Sequence, residues 1–215
     1  MTATTAPGFR RPSPGRRRGL AGHMERTGEE GVEPGLLGLM VFVASEVMFF
    51  AALFAAYFTF KGSAPAWPGL DIKGHPIEKL STGYAGGLTV ILVSSSITMQ
   101  AAIFAIRRNW ARISTGLVAI TVLLGIIFVS GQAREWKHLE FKLRDGVYPS
   151  LFYTITGFHG LHVIGGLIAL TFVLSKAVGG RFSAENHTMM EAVSFYWHFV
   201  DVVWIGVFTT LYVIS

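Results

Sequence analysis

The sequence predicts an all-α integral membrane protein, a bundle of five transmembrane helices with its N-terminus inside and its C-terminus outside. Two observations predict this fold class. Hydrophobic residues make up 51% of the 215 residues and charged residues only 14%, against roughly 25% charged residues in an average soluble domain. The apolar residues also fall into five runs, each long enough to cross a hydrocarbon core of ~30 Å at ~1.5 Å per residue. The predicted spans are residues 35–60, 83–106, 113–131, 149–175 and 190–215.

The first 34 residues differ in composition from the rest of the chain. They contain several prolines and glycines and six arginines, and they offer no apolar face that folding could bury. We therefore expect a flexible basic N-terminal tail, 1–34, followed by a transmembrane domain, 35–215. The first apolar run is longer than the apolar region of a signal peptide and lacks a small-residue cleavage site, so we expect it to remain as a membrane anchor.

The distribution of basic residues predicts the orientation. With the N-terminus inside, eleven Lys and Arg residues lie on the inner side and seven on the outer side. This asymmetry favours an N-in, C-out topology by the positive-inside rule. The formal charge of +5 could also suggest nucleic acid as a partner, but the basic residues lie in the tail and at the ends of apolar runs. A membrane surface explains that placement better, so we expect no nucleic-acid partner.

Cysteine is absent from the chain. This composition excludes a disulfide framework, a thiolate metal site and a thiol nucleophile.

Five ionisable residues fall near the middle of the predicted spans, where such groups are costly and are functional candidates by default. They are Glu46, His159, His162, His198 and Asp201. The two histidines of the fourth span are three residues apart, as are His198 and Asp201, so each pair shares one helix face. We expect a buried polar cluster at mid-depth, with Glu46 protonated or hydrogen-bonded to His162 or His159.

Two interpretations of the histidines remain open. They could bind haem or a metal, because neutral imidazole is the commonest metal ligand and two histidines at one depth could bracket a haem. In that case the chain would be a stand-alone haem-binding membrane protein. Alternatively, hydrogen bonds to Glu46 and to backbone carbonyls could satisfy them. The residue pattern favours structural or proton-associated hydrogen bonding, because no third histidine completes a copper site.

Three stretches of sequence resemble subunit III of haem-copper terminal oxidases, in the five-helix bacterial form. They are S-E-V-M-F-F-A-A-L-F-A-A-Y-F (Ser45 to Phe58), T-G-F-H-G-L-H-V-I-G-G (Thr156 to Gly166) and Y-W-H-F-V-D-V-V-W (Tyr196 to Trp204). The resemblance covers all five spans and leaves the arginine-rich tail uncovered.

The resemblance implies a non-redox subunit of a proton-pumping cytochrome c oxidase, in aerobic electron transport at a bacterial plasma membrane. Its partners would be oxidase subunits I and II, which carry the haems and copper, with a respiratory supercomplex as a further candidate. This chain would hold no catalytic residue and no metal. It would stabilise subunit I near its proton-uptake path and bind phospholipid. We expect Lys176, Arg181 and His187 to contact anionic headgroups at the inner interface, as clustered basic residues beside a membrane helix tend to do.

The resemblance leaves the branch of the family open. Glu46 favours cytochrome c oxidase, because an aspartate is familiar at this place in quinol oxidases. Subunit III of a quinol oxidase or of a nitric-oxide-reductase-type complex is the alternative. The longest relatives have two further helices before the first span, and in similar systems an extended subunit I supplies them.

Overall fold

The computed structural model describes residues 34–69, 74, 76–77 and 80–214. The expected tail, 1–34, lies almost wholly outside the described residues. Two of the seven basic residues expected on the outer side, Lys73 and Lys79, also lie outside them. All the regular elements of the described chain are helical. They are α1 (Pro34–Ser63), α2 (Thr82–Arg107), α3 (Ala111–His138), α4 (Val147–Val178) and α5 (Thr188–Phe208), which continues as a π-helical turn (Thr209–Val213).

The five helices are each long and apolar enough to cross a membrane, which confirms the predicted all-α fold with five membrane-spanning helices. Helix α3 extends beyond the apolar run that defined the predicted third span. That span was expected to end at residue 131, and the helix continues to His138. The added segment is polar, so hydropathy alone ended the prediction there. It contains good helix formers such as Ala133 and Glu135 and no proline, so the backbone continues as a helix beyond the apolar run.

The connections determine which helices are neighbours. The segments that join α2 to α3, α3 to α4 and α4 to α5 are all short, residues 108–110, 139–146 and 179–187. Each of these pairs packs side by side, as expected for antiparallel helices. Helix α2 also packs on α5, and α3 on α4, so α2 to α5 form a closed group of four helices. Helix α1 lies at the edge of this group, where it contacts α4 and α5.

Two of the short connections, α2–α3 and α4–α5, meet at one end of the bundle. Asn109, between α2 and α3, has a left-handed backbone with φ of 59°, a conformation that asparagine tolerates better than most residues. Its side-chain oxygen accepts a hydrogen bond of 3.1 Å from the backbone N–H of Ala184, which lies between α4 and α5. This bond ties the two connections together.

Two tryptophans of α5 fill the centre of the bundle. Trp197 is fully buried and its Nε1 donates to the hydroxyl of Ser95 on α2 at 2.9 Å. A methyl group added at Gly166 of α4 would lie 2.8 Å from the Trp197 ring, so this glycine permits the close approach of α4 and α5. Trp204 is also fully buried, and its Nε1 donates to Thr89 at 2.9 Å.

Candidate functional site

The predicted mid-membrane residues fall into three separate places, because helix rotation directs them to different neighbours. No hydrogen bond of the described chain joins the three places.

The first place joins α1 to α4. Oε2 of Glu46 lies 2.9 Å from Nε2 of His162, and both side chains are largely buried, with 21% and 15% of their surfaces exposed. The other ring nitrogen of His162, Nδ1, lies 2.7 Å from the carbonyl oxygen of Phe158, one turn back on α4. Phe50 packs edge-on against the imidazole, with 5.2 Å between ring centroids. The carboxyl group of Glu46 therefore meets a histidine, and the partner is His162 rather than His159.

This carboxyl–imidazole pair can bridge two helices in a medium that contains no water to compete with it. Nδ1 can donate only while it carries its proton, so the Phe158 carbonyl favours a protonated Nδ1 and leaves Nε2 to face Glu46. A neutral pair therefore consists of a protonated Glu46 that donates to Nε2, and an ionic pair places both protons on the ring. Either arrangement satisfies both groups within the membrane.

The second place joins α2 to α5. The hydroxyl of Ser96 donates to Oδ2 of Asp201, and the hydroxyl oxygen of Ser96 lies 2.9 Å from Nδ1 of His198. Since the single hydroxyl proton of Ser96 goes to the carboxylate, Nδ1 of His198 is the donor to Ser96. Nε2 of His198 lies 3.3 Å from both Ser194 Oγ and Gln100 Oε1. One serine therefore connects the predicted His198 and Asp201 pair, which shares one face of α5.

The third place is the interior around His159. This side chain is buried to 99% and packs between aromatic rings, with its ring centroid 5.0 Å from Trp204 and 6.1 Å from Phe128. Neither of its ring nitrogens has a hydrogen-bond partner in the described chain. His159 and His162 are three residues apart, but they point to different neighbours, one toward α3 and α5 and the other toward α1.

The metal-binding interpretation can be compared with the geometry of the described residues. Among them, no group of three or more His, Asp or Glu side chains converges on a point where a metal ion could sit.

The predicted lipid-binding residues lie at the end of the bundle where the two short connections meet. His187 Nε2 lies 3.0 Å from Oε1 of Glu191, which also accepts hydrogen bonds of 3.2 and 2.6 Å from Nε and the terminal nitrogen of Arg107. Lys176 lies over the ring of Phe172, with Nζ 4.7 Å from the centroid, and Arg181 is exposed. Neither Lys176 nor Arg181 forms an ion pair with a described residue.

The sequence analysis missed a polar group at the opposite end. Glu135 is buried, and its Oε2 accepts hydrogen bonds from Gln132 Nε2 at 3.1 Å and from the hydroxyl of Tyr212 at 2.9 Å. The group lies on the part of α3 beyond the predicted boundary. A glutamine and a glutamate three residues apart directly after an apolar run could have indicated it, because such residues share a helix face.

Comparison with known proteins decides the family. A model of the cytochrome c oxidase subunit III family matches residues 18–215, which includes all five helices and every residue of the three polar places. The chain belongs to this family.

Three similar curated proteins come from bacteria. The chain is similar to a cytochrome c oxidase subunit 3 of Corynebacterium diphtheriae, with 41% identity over 83% of this chain and 87% of the relative. A probable cytochrome c oxidase subunit 3 of Nocardia farcinica is 42% identical over 82% of this chain and 86% of the relative. The subunit 3 of Synechocystis is 39% identical over 83% of this chain and 75% of the relative. The resemblance noted in the three sequence motifs is confirmed.

Proposed function

We propose that this chain is a non-redox subunit of a proton-pumping cytochrome c oxidase, in which it supports subunit I near the mouth of its proton-uptake path. The proposal is supported by the contacts that the mid-membrane polar residues make between helices. Glu46 and His162 connect α1 to α4, and His198 and Asp201 connect α5 to α2 through Ser96. These side chains hold helices together, as a supporting subunit requires.

The electron donor proposed here is cytochrome c. The names of the curated relatives support it, since the similar proteins from Corynebacterium and Synechocystis are both called cytochrome c oxidase subunit 3. The haems and copper would then reside in subunits I and II, and this chain would lie in a bacterial plasma membrane with a cytoplasmic N-terminus.

The proposal includes contacts with anionic phospholipid at the inner side through Lys176, Arg181 and His187. Clustered basic residues beside a membrane helix attract anionic headgroups, by about 1 kcal/mol for each Lys or Arg. Lys176 and Arg181 have no acidic partner in the described chain, which leaves their charges available. His187 is held by Glu191, so it would act mainly by orienting that carboxylate.

The decisive experiment compares the oxidase complex with and without this chain. Dithionite-reduced minus oxidised spectra and the initial rate of oxygen consumption should be nearly unchanged on its removal, because the proposed redox centres lie in other subunits. Activity should decline faster during sustained turnover, since the flank of the proton-uptake mouth becomes exposed to lipid and water. Loss of a haem band would overturn the non-redox role, and an unchanged rate of inactivation would overturn the supporting role.

A further inference from the structure

A pocket lies between α2 and α3 at the end of the bundle opposite to Asn109. Its volume is about 450 Å³, which is within the range of pockets that hold small organic groups. Residues at the start of α2 form one wall, and the last turns of α3 with the segment that follows form the other. In the proposed orientation, this pocket opens on the outer side of the membrane.

Glu135 presents one free carboxylate oxygen to this pocket. Only 8% of the surface of the residue is exposed, and its Oε2 accepts the hydrogen bonds from Gln132 and Tyr212. The second oxygen, Oε1, has no hydrogen-bond partner in the described chain, yet it is not closed off from the surface as Oε1 of Gln132 is. Because Glu135 lines the pocket, Oε1 is the atom that a ligand inside it can reach.

The charges of the lining favour a cation. The two donors that point at Oε2 favour an ionised Glu135, since an ionised carboxylate only accepts hydrogen bonds, and no basic side chain of the described chain forms an ion pair with it. An uncompensated buried charge is costly. The exposed lining residues Glu140 and Arg134 have opposite charges, so with His138 counted as neutral the lining keeps the negative charge of Glu135.

The free oxygen and the walls indicate which kind of cation fits. A guanidinium group is best matched by both oxygens of a carboxylate, whereas an ammonium group is a compact point charge that a single oxygen can hold. Tyr84, whose hydroxyl donates to the Gly131 carbonyl at 3.0 Å, and the buried Phe141 are the aromatic residues of the lining. Aromatic faces attract an ammonium group, and apolar walls accept the methylene stem that carries it. The pocket therefore suits a lysine side chain.

We propose that this pocket receives a lysine of a neighbouring oxidase subunit, with the ammonium group at Oε1 of Glu135 and the stem against Tyr84 and Phe141. A free amine would gain little from a single carboxylate in contact with water, whereas a lysine on a docked subunit is present at a high effective concentration. The proposal rests on the assembly of this chain with other oxidase subunits. It does not depend on the supporting role during turnover.

The test treats the intact oxidase complex with a water-soluble carbodiimide, which joins a carboxylate to a lysine amine only where the two groups touch. Mass spectrometry of the digested complex should find Glu135 joined to a lysine of another subunit. Glu135→Gln should remove this product, and the amide oxygen can still accept from Gln132 and Tyr212. Glu140→Gln is the matched control in the same pocket and should keep the product.

Retention of the subunit in the complex during a titration with detergent gives a second measurement. Glu135→Gln should be lost at a lower detergent concentration than Glu140→Gln, because only the first change removes the charge that holds the lysine. Equal retention of the two variants would contradict the proposed contact.

Three results of the carbodiimide experiment would overturn the proposal. The first is a product that joins Glu135 to a lysine of this same chain. The second is incorporation of methylamine at Glu135 when methylamine is supplied with the carbodiimide to the intact complex, since the pocket would then be open to free amines. The third is the absence of any product at Glu135 in a complex whose other subunits the reagent has joined. None of these results would alter the spectra or the inactivation rates that test the supporting role.

Discussion

At the scale of single residues, the contact between Glu46 and His162 gives a prediction about stability. Glu46→Ala removes the partner of His162 Nε2 at 2.9 Å and should weaken the fold or docking of the subunit by about 1–2 kcal/mol, the range found for polar contacts between membrane helices. Glu46→Gln can still form a hydrogen bond and should cost less. The measurement is retention of the subunit in the complex during a titration with denaturing detergent.

Ser45→Ala is the control for this prediction. The Ser45 hydroxyl donates to the carbonyl of Phe42 in its own helix and crosses to no other helix. Equal retention of Glu46→Ala and Ser45→Ala would show that the Glu46–His162 contact does not hold α1 in place.

Ser96 gives a second prediction at this scale, because its hydroxyl contacts both Asp201 and His198. Ser96→Ala leaves Oδ2 of Asp201 and Nδ1 of His198 without their partner, and an unsatisfied buried polar group costs about 1–3 kcal/mol. Ser94→Ala is the control, since Ser94 bonds only to the Val90 carbonyl of its own helix. The midpoint of thermal unfolding should fall for Ser96→Ala and stay nearly constant for Ser94→Ala; equal midpoints would contradict the bridging role.

At the scale of helices, two adjacent glycines test the packing of α4 on α5. A methyl group at Gly166 would lie 2.8 Å from the buried Trp197 ring, whereas one at Gly165 would lie 3.7 Å from its nearest atom, the Tyr196 hydroxyl. Gly166→Ala should destabilise the subunit by about 1–3 kcal/mol through overpacking. Gly165→Ala should be tolerated, and because both changes alter helix propensity equally, their difference in unfolding midpoint isolates the contact. Similar midpoints would contradict the tight contact, because they would mean that the Trp197 ring shifts to accommodate the added methyl group without loss of stability.

The sequence allowed the helices to be predicted better than their contacts. Each apolar run crosses the membrane, so the existence of five helices follows from hydropathy. Helix α3 extends past the predicted span because hydropathy marks the edge of the hydrocarbon, while a helix ends where its backbone bonding ends. The spacing of His159 and His162 indicates a shared face, but the rotation of α4 that directs one to Trp204 and the other to Glu46 depends on packing with other helices.

At the scale of the whole molecule, the N-in, C-out orientation can be tested cleanly because the chain has no cysteine. Arg181→Cys, between α4 and α5, should react only with a membrane-impermeant thiol reagent supplied from the cytoplasmic side of inverted vesicles. Lys137→Cys, at the far end of α3, should react only from the outer side of intact cells. Both positions are exposed, so failure to label would not arise from burial, and the reverse pattern would contradict the orientation.

The position of α1 at the edge of the bundle affects how the protein should be handled. This helix packs mainly on α4 and α5, and most of its apolar side chains face outward. A micelle solvates such a surface as well as lipid does, so detergent does not oppose the departure of α1 as water would oppose the opening of a soluble core. Harsh extraction should therefore undock α1 from the bundle first and leave α2 to α5 packed together. Because the undocked α1 can stay helical, a circular dichroism spectrum would look nearly native although Glu46 had already left its place in the bundle.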